Sequence, residues 1–219
     1  MEEKLWQACS QGRVEEVRKL LQNSQININW QDPELSRTPF FRACGYSGHI
    51  EIVKLLLNDE RVDINKANKY GTTPFYIACY SGHIEIVKLL LNDNRVDVNK
   101  ANDEGATPFF VACCHGLLEV VKYMLLCGRE IDFNKKWNNK TSLDISKQRS
   151  TSTQKFSNET EEEFQKAKRN CPKIVELIES FQRNPNETRA KLRKQLGLSG
   201  KFFLLTCLFI ICYFFSHFF

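Results

Sequence analysis

The sequence of 219 residues predicts an all-α fold, a solenoid of stacked helix pairs followed by a C-terminal hydrophobic helix. Two repeated patterns indicate the helix pairs: a Thr-Pro-Phe triplet, and a glycine that recurs with a step of 34 residues. The triplets begin at Thr38, Thr73 and Thr107, and the glycines are Gly48, Gly82 and Gly116. A single helix pair has too little interior to fold by itself, so stacked neighbours must supply the core. The apolar run 202–219 indicates the final helix.

One copy, residues 71–99, shows how each element is predicted. Thr73 is a good N-cap, and Pro74 suits the first helical position because its missing N–H costs nothing there. Gly82 ends this helix, since glycine adopts the left-handed conformation without a Cβ clash. Apolar residues in 84–91 recur at three- and four-residue spacing, which predicts a second, amphipathic helix. Residues 96–99 alternate apolar and polar side chains, which predicts an extended arm.

The motifs TPFYIA at 73–78, GH at 82–83 and IVKLLL at 86–91 resemble the landmarks of the ankyrin repeat. The usual period of that repeat is about 33 residues, and the extra residue here fits in the turn at 92–99. The resemblance covers about residues 1–181. It implies stacked helix-turn-helix units with short β-hairpin arms, and a non-enzymatic scaffold or adaptor that binds a partner protein.

The predicted organisation is one array followed by a tail. The ranges are an N-terminal capping repeat at 1–35, repeats at 36–68, 69–102 and 103–136, a divergent C-terminal repeat at 137–181 with an inserted polar loop at 148–170, a basic linker helix at 182–201 and a hydrophobic tail at 202–219. An extra residue at Gly45 should make its helix bulge, end early or rotate. The polar loop should bury almost nothing, as a disordered segment or a solvated helix extension. Its serines and threonines are alternatively sites of regulation by phosphorylation.

The last part of the chain combines positive charge with apolar sequence. The net charge is +5, and residues 183–201 alone hold six basic residues against one acidic. As a helix, residues 202–219 would span about 27 Å, close to the roughly 30 Å hydrocarbon layer of a bilayer. We expect a candidate transmembrane anchor that places the array on a cytosolic membrane face, since basic flanks resist translocation. The residues expected to contact anionic lipid are Arg189, Lys191, Arg193, Lys194 and Lys201. The alternatives are a buried tail or a gene-model artefact.

Several classes of function are not expected. The sequence has no glycine-rich phosphate loop, no nucleophile elbow and no zinc-ligand spacing, which predicts no enzyme, no cofactor, no metal site and no small-molecule substrate. Charge confined to one segment argues against nucleic acid as a partner. Four cysteines occupy one place in successive copies, which is typical of a small packing residue: Cys9, Cys44, Cys79 and Cys113. Free buried thiols favour a reducing compartment, and we expect a cytoplasmic location.

The resemblance also implies a binding surface, because ankyrin arrays bind proteins through their hairpin tips and the exposed ends of their first helices. The corresponding residues are Tyr46, Ser47, Lys69, Tyr70, Thr72, Tyr80, Ser81, Asp103, Glu104, Ala106, Cys114 and His115. Tyrosine is a good anchor since it buries a large ring and keeps a hydroxyl. Alternatively, Tyr46 and Tyr80 stack on one another along the array. The partner protein's identity does not follow from these residues, and a regulatory subunit of an enzyme complex is a further hypothesis.

Overall fold

The computed structural model describes residues 1–45 and 48–198, and within these ranges it contains eleven helices and no strand. The helices are α1 (Glu2–Gln11), α2 (Val14–Leu21), α3 (Pro39–Cys44), α4 (Ile50–Leu57), α5 (Pro74–Ser81), α6 (Ile84–Leu91), α7 (Pro108–Cys114), α8 (Leu118–Leu126), α9 (Ser142–Thr151), α10 (Glu161–Arg183) and α11 (Pro185–Gln195). The chain divides into two units, Met1–Glu176 and Leu177–Phe219. The all-α prediction is confirmed for the described residues.

The first helix of each inner copy begins as its Thr-Pro pair predicts. Thr73 Oγ1 accepts the backbone N–H of Tyr76 at 3.1 Å, and Pro74 lies at the start of α5. The same cap is formed at Thr38 and Thr107. The three threonines are almost fully buried, so the hydroxyl satisfies an amide that water cannot reach.

The first unit is a stack in which each helix pair packs on its neighbours. The first helices α1, α3, α5, α7 and α9 contact one another in sequence, as do the second helices α2, α4, α6 and α8. Side chains between the rows form a continuous apolar core; the largest that are fully buried in the inner copies are Phe40, Phe75, Phe109, Ile52, Leu56, Ile86, Leu90, Met124 and Leu125. Burying one such side chain stabilises the fold by about 1.5–3 kcal/mol. The repeated cysteines are also buried, which confirms their packing role.

The predicted β-hairpin arms are reduced, in the described part of the chain, to one isolated antiparallel bridge between Trp137 and Lys140, and the tips between the inner copies are hydrogen-bonded turns. In one tip, the N–H of Asn68 donates to the carbonyl of Thr72 at 2.9 Å, and Gly71 closes the turn with φ 71°. Below the tips, Asn65 bridges two copies: its Nδ2 donates to the carbonyl of Arg95 at 2.7 Å, and its Oδ1 accepts the N–H of Asp97 at 2.8 Å. Side-chain amides therefore join copies where a ladder of strands was expected.

Gly45 shortens its helix, which is one of the outcomes predicted for the extra residue. Helix α3 has 6 residues and α5 has 8. Gly45 follows α3 in an extended conformation, with φ −89° and ψ −156°. The backbone then recovers the repeat, because the N–H of His49 donates to the carbonyl of Ala43 as that of His83 does to Ala78.

The irregular linker between α2 and α3 is organised by a buried carboxylate. Asp32 accepts the N–H groups of Leu35 and Arg37 at 3.0 and 2.7 Å, and the Nε of Arg37 at 3.0 Å. Burial acts to raise the pKa of Asp32, but these hydrogen bonds and the Arg37 charge outweigh it and lower the pKa to about 2. The hydrogen bonds and the ion pair of Asp32 with Arg37, which we call the charged lock, thus hold the chain where the repeat pattern is interrupted.

The C-terminal repeat differs from the prediction. Helix α9 starts with a capping box between Thr141 and Asp144, and α10 runs for 23 residues from Glu161. Within the predicted polar loop at 148–170, buried side chains are Arg149, Glu159, Phe164 and Ala167. The prediction that this segment buries almost nothing is therefore wrong. The part without helix is only 152–160, which we call the inserted loop.

Helix α10 begins earlier than the apolar pattern from Ile174 suggested, and it takes the place of a second helix. A Cβ added to Gly116 would lie 2.4 Å from the Cα of Ala167. The equivalent glycine one copy earlier, Gly82, faces Leu117. Asn170 Nδ2 also donates to the carbonyl of Gly116 at 2.8 Å. Close packing of α10 against this glycine leaves no room for a side chain there.

The second unit is described through residue 198 and contains the end of α10 and helix α11. Asn184 caps α11 by accepting the N–H of Glu187 at 3.2 Å. Thr188 and Leu192 are buried, and the guanidinium of Arg189 lies 5.0 Å from the ring centre of Phe181. Helix α11 falls inside the predicted basic linker helix at 182–201.

The predicted tail at 202–219, together with Lys201, lies outside the described residues. Of the helices in the described ranges, none combines the length and the apolar character needed to cross a bilayer.

Candidate functional site

Two of the turn tips bring predicted binding residues together. Tyr70 is 55% exposed, and Lys69 places its ammonium 5.2 Å from the Tyr70 ring centre. Asp103, on the next tip, donates its N–H to the carbonyl of Tyr70 at 3.0 Å. Asp103 and Glu104 are both exposed, so the two tips present an aromatic ring, an ammonium and two carboxylates side by side. Thr72 is half-buried within its turn.

Tyr80 and His115, at the ends of α5 and α7, also meet. Their ring centres are 4.8 Å apart in an edge-to-face arrangement. His115 was expected at the exposed end of its helix; it is half-buried, and its ring lies between Tyr80 and Phe156, whose centre is 6.0 Å away. Burial lowers the pKa of His115, so its imidazole is neutral at pH 7. Cys114 and Ala106 were expected to be accessible and are buried.

Two predicted residues, Tyr46 and Ser47, lie outside the described residues, and the predicted stacking of Tyr46 on Tyr80 stays a prediction. Ser81 lies half-buried beside Tyr80 at the end of α5. The hydroxyl of Tyr80 instead accepts a hydrogen bond from Asn158 Nδ2 at 3.4 Å. The inserted loop therefore reaches the first-helix ends, which the sequence predicts to bind a partner.

A buried arginine fastens the inserted loop. Arg149 forms a salt bridge with Glu159, and both side chains are at most 3% exposed. Its Nε donates to the carbonyl of Cys114 at 3.1 Å, which ties the loop to the end of α7. Removing either charge would leave the other buried and unpaired, which is strongly unfavourable.

Aromatic rings and the backbone complete this fastening. The guanidinium of Arg149 lies 4.3 Å from the ring centre of Phe156 and 5.3 Å from that of Phe164, close enough for cation–π attraction. Glu159 also accepts the N–H of Phe156 at 3.1 Å. The loop is thus held by a charge pair, two rings and a backbone bond, and it lies against the array.

Between the inserted loop and the array lies a cavity of about 370 Å³, which we call the cleft. Its aromatic lining residues are Tyr76, Tyr80, Phe110, Trp137 and Phe156. Phe110 and Trp137 pack edge to face with ring centres 5.5 Å apart. This volume is near the lower end of the roughly 300–1,000 Å³ typical of ligand pockets.

A second cavity of about 480 Å³ adjoins the cleft and shares Tyr80, His115 and Asn158 with it. Its other lining includes Glu163 and Lys166 of α10. The two cavities lie side by side along the first-helix ends and the inserted loop.

The buried cysteines of the described ranges offer no activated nucleophile. Burial raises the pKa of the Cys79 and Cys113 thiols, which keeps them protonated. In the same ranges, no group of three His, Cys, Asp or Glu side chains is placed to hold a metal ion.

Sequence reasoning found Tyr80, Glu104 and His115 but missed most of the cleft's aromatic lining. Phe156 lies in a polar stretch that was expected to be exposed, and Trp137 is the first residue of the predicted C-terminal repeat. Both residues are large apolar side chains in polar surroundings. This contrast could have indicated that the two side chains are partly buried, because large aromatic residues are seldom fully exposed to water.

Comparison with known proteins identifies the repeat. A family model described as ankyrin repeats in three copies matches residues 46–137, and one described as ankyrin repeats in many copies matches residues 5–57. No curated protein matches the chain. The matched residues end before α9, so the inserted loop and α10 lie beyond them. The caps, the glycine turns and these matches show that the chain belongs to the ankyrin-repeat family.

Proposed function

We propose that this protein is a non-enzymatic adaptor that binds a segment of a partner protein along the cleft and the cavity beside it. Ankyrin repeats generally mediate protein–protein interaction, which supports this class of function. The observation that carries the proposal is the meeting of the two cavities at Tyr80 and His115. Exposed Tyr70 on the neighbouring tip extends the surface.

The chemistry of this surface suits a peptide. Aromatic rings offer large, rigid contact area, and Tyr70 and Tyr80 retain polar ends. Exposed Asn158 and Ser157 at the cleft border provide hydrogen-bonding groups for a partner's backbone. The inserted loop supplies one wall, so the partner would touch both the array and this loop.

A selection of random twelve-residue peptides on the full-length chain tests the proposal. We expect selected peptides to bind the wild type and to lose at least tenfold in affinity with Tyr80→Ala, with a smaller loss for Tyr70→Ala. Tyr123→Ala is the matched control, because Tyr123 lies on the second helix α8 and lines neither cavity. Circular dichroism should be the same for all variants. Peptides that bind the Tyr80 variant as tightly as the wild type would contradict the proposal.

A second candidate function is a tail-anchored adaptor, and the apolar run 202–219 behind a basic helix is the observation that favours it. In α11, Lys191 and Lys194 are exposed, although Lys191 pairs with Glu187 at 2.7 Å. We expect the full chain to co-sediment with vesicles of phosphatidylcholine containing phosphatidylserine. A chain lacking 202–219 should bind them weakly and lose that binding at high salt. Equal sedimentation of both chains would contradict anchoring.

A further inference from the structure

The cleft combines aromatic walls with negative charge. Five of its lining residues carry aromatic rings other than imidazole, the one formally charged lining residue is Glu104, and none is lysine or arginine. His115 is neutral at pH 7 because burial lowers its pKa, and it does not offset the carboxylate. An aromatic ring presents a negative face, so walls of this kind attract a cation more than an anion.

The acidic group is available to a ligand. Glu104 is exposed, and among the described residues it forms no ion pair. The next residue on the same tip, Asp103, is also exposed. Beside the cleft wall, burial raises the pKa of Tyr76, and the charge of nearby Glu104 raises it further. A positive charge entering the cleft would therefore meet a field that favours it.

Two arginines of this chain already pack against aromatic rings. The Arg149 guanidinium lies against Phe156 and Phe164 while paired with Glu159. At the other end of the array, Arg42 lies 4.8 Å from the ring centre of Trp6. A planar guanidinium stacks on rings and is less strongly hydrated than an ammonium group. A cleft with this aromatic lining therefore favours arginine over lysine.

We propose that the cleft takes an arginine side chain of the partner protein, with its guanidinium stacked on the aromatic walls and paired with Glu104. This inference rests on the proposed function and specifies which residue the partner must present. The arginine would be the anchor, and the adjoining cavity would receive the residues next to it.

A small probe tests the site without knowledge of the partner. N-acetyl-arginine N-methylamide is titrated into the ¹⁵N-labelled full-length chain, and the indole N–H of Trp137, assigned with Trp137→Phe, reports occupancy. We expect a saturable shift with the arginine probe. The citrulline analogue, which has the same shape without the charge, should bind at least tenfold more weakly. Glu104→Gln should weaken the arginine probe at least fivefold, whereas Asp103→Asn, outside the cleft lining, should change it less than twofold.

Three results would overturn the inference. Equal binding of the citrulline analogue would show that charge is not recognised. Tighter binding of the trimethyl-lysine analogue would assign the cleft to a different cation. Absence of any shift at probe concentrations of about 50 mM would show that the cleft does not take a guanidinium, since even weak sites of about −4 kcal/mol saturate there.

The peptide selection separates this inference from the proposed function. Peptides that depend on Tyr80 and share one arginine, whose replacement by citrulline abolishes binding, would support both. Peptides that depend on Tyr80 but share no arginine would leave the proposed function standing and contradict the arginine site. If no selected peptide depends on Tyr80, both are wrong.

Discussion

The inner copy at 71–99 and the C-terminal repeat join their helices by different interactions. In the inner copy, Phe75, Ile86 and Leu90 fill an apolar interior and a short glycine turn joins the helices. In the C-terminal repeat, nine residues without helix separate α9 from α10, and the buried Arg149–Glu159 pair fastens them. Regular repeats are stabilised by nonspecific burial, whereas the irregular one depends on a few specific polar contacts.

The difference has a functional consequence. A short turn adds no wall at the end of a first helix, whereas the inserted loop builds a wall beside Tyr80 and His115. That wall turns an open surface into a cleft. The irregular linker at the other end follows the same physics, because buried Asp32 organises it through Arg37.

The largest expected effect comes from breaking the charge pair of the C-terminal repeat. Arg149→Met should lower the free energy of unfolding of that region by about 3–5 kcal/mol, because Glu159 is left buried and unpaired. Lys54→Met is the matched control: Lys54 pairs with Glu51 on the surface of α4, and its loss should change stability by less than about 0.5 kcal/mol.

Urea denaturation followed by circular dichroism and by Trp137 fluorescence measures both variants. Arg149→Met combined with Glu159→Leu should recover most of the loss, because no buried charge is then unpaired. If Arg149→Met and Lys54→Met have the same small effect, the pair does not fasten the loop.

The second prediction compares equivalent glycines in the two regions. Gly82 and Gly116 have φ of 70° and 62°, so alanine is strained at both, by about 1–2 kcal/mol. At Gly82 an added Cβ would contact Leu117 at an ordinary 3.4 Å, but at Gly116 it would lie 2.4 Å from the backbone of Ala167.

The Gly116→Ala variant should therefore have a free energy of unfolding lower than that of Gly82→Ala by about 1–3 kcal/mol. Thermal and urea unfolding can resolve this difference. Equal losses would mean that α10 does not pack against the array as a second helix.

The third prediction concerns pH and the linker lock. The pKa of Asp32 is about 2 in the folded protein and about 3.9 in an unfolded chain. Its contribution is therefore fully present above about pH 5 and is lost as the pH falls through 4 towards 2; at pH 7 it is about 2–3 kcal/mol.

Asp32→Asn should be less stable than the wild type by this amount at pH 7, and the difference should nearly vanish at about pH 2. Urea unfolding of both proteins across this pH range measures it. A difference that does not depend on pH would contradict the charged lock.

The smallest effect is expected inside the regular region. Asn65→Ala removes the two hydrogen bonds to Arg95 and Asp97, but these groups are exposed and water replaces the side chain. The loss should be about 1 kcal/mol. Asn94→Ala, an exposed asparagine in the turn after α6, is the control and should be neutral. Urea unfolding compares them, and an equal effect would mean that Asn65 does not join the copies.

The sequence was sufficient for the regular repeats because each element there has a local cause. Thr73 and Pro74 start a helix, Gly82 ends it, and the apolar spacing of 84–91 defines the buried face of the next. These signals act over three or four residues. Because they recur in several copies, an ambiguous signal in one copy can be interpreted by comparison with the others. The predicted β-hairpin arms were not found between the inner copies, where side-chain hydrogen bonds of Asn65 join one copy to the next.

The C-terminal repeat was not predictable from local signals. Composition places 148–170 among exposed segments, since serine, threonine, lysine and glutamate dominate it. Its burial depends on Arg149 meeting Glu159 ten residues later and the carbonyl of Cys114 thirty-five residues earlier. Pairing at that distance is set by the tertiary fold, and so the position of Phe156 and the presence of the cleft were missed.

The central claim is that the inserted loop lies folded against the first-helix ends. Nuclear Overhauser effects between the ring protons of His115 and Phe156 test it most directly, because these ring centres are 6.0 Å apart. We predict cross-peaks between the two rings, and their loss in Arg149→Met. Absence of such cross-peaks in the wild type, with random-coil chemical shifts over 152–160, would contradict the account.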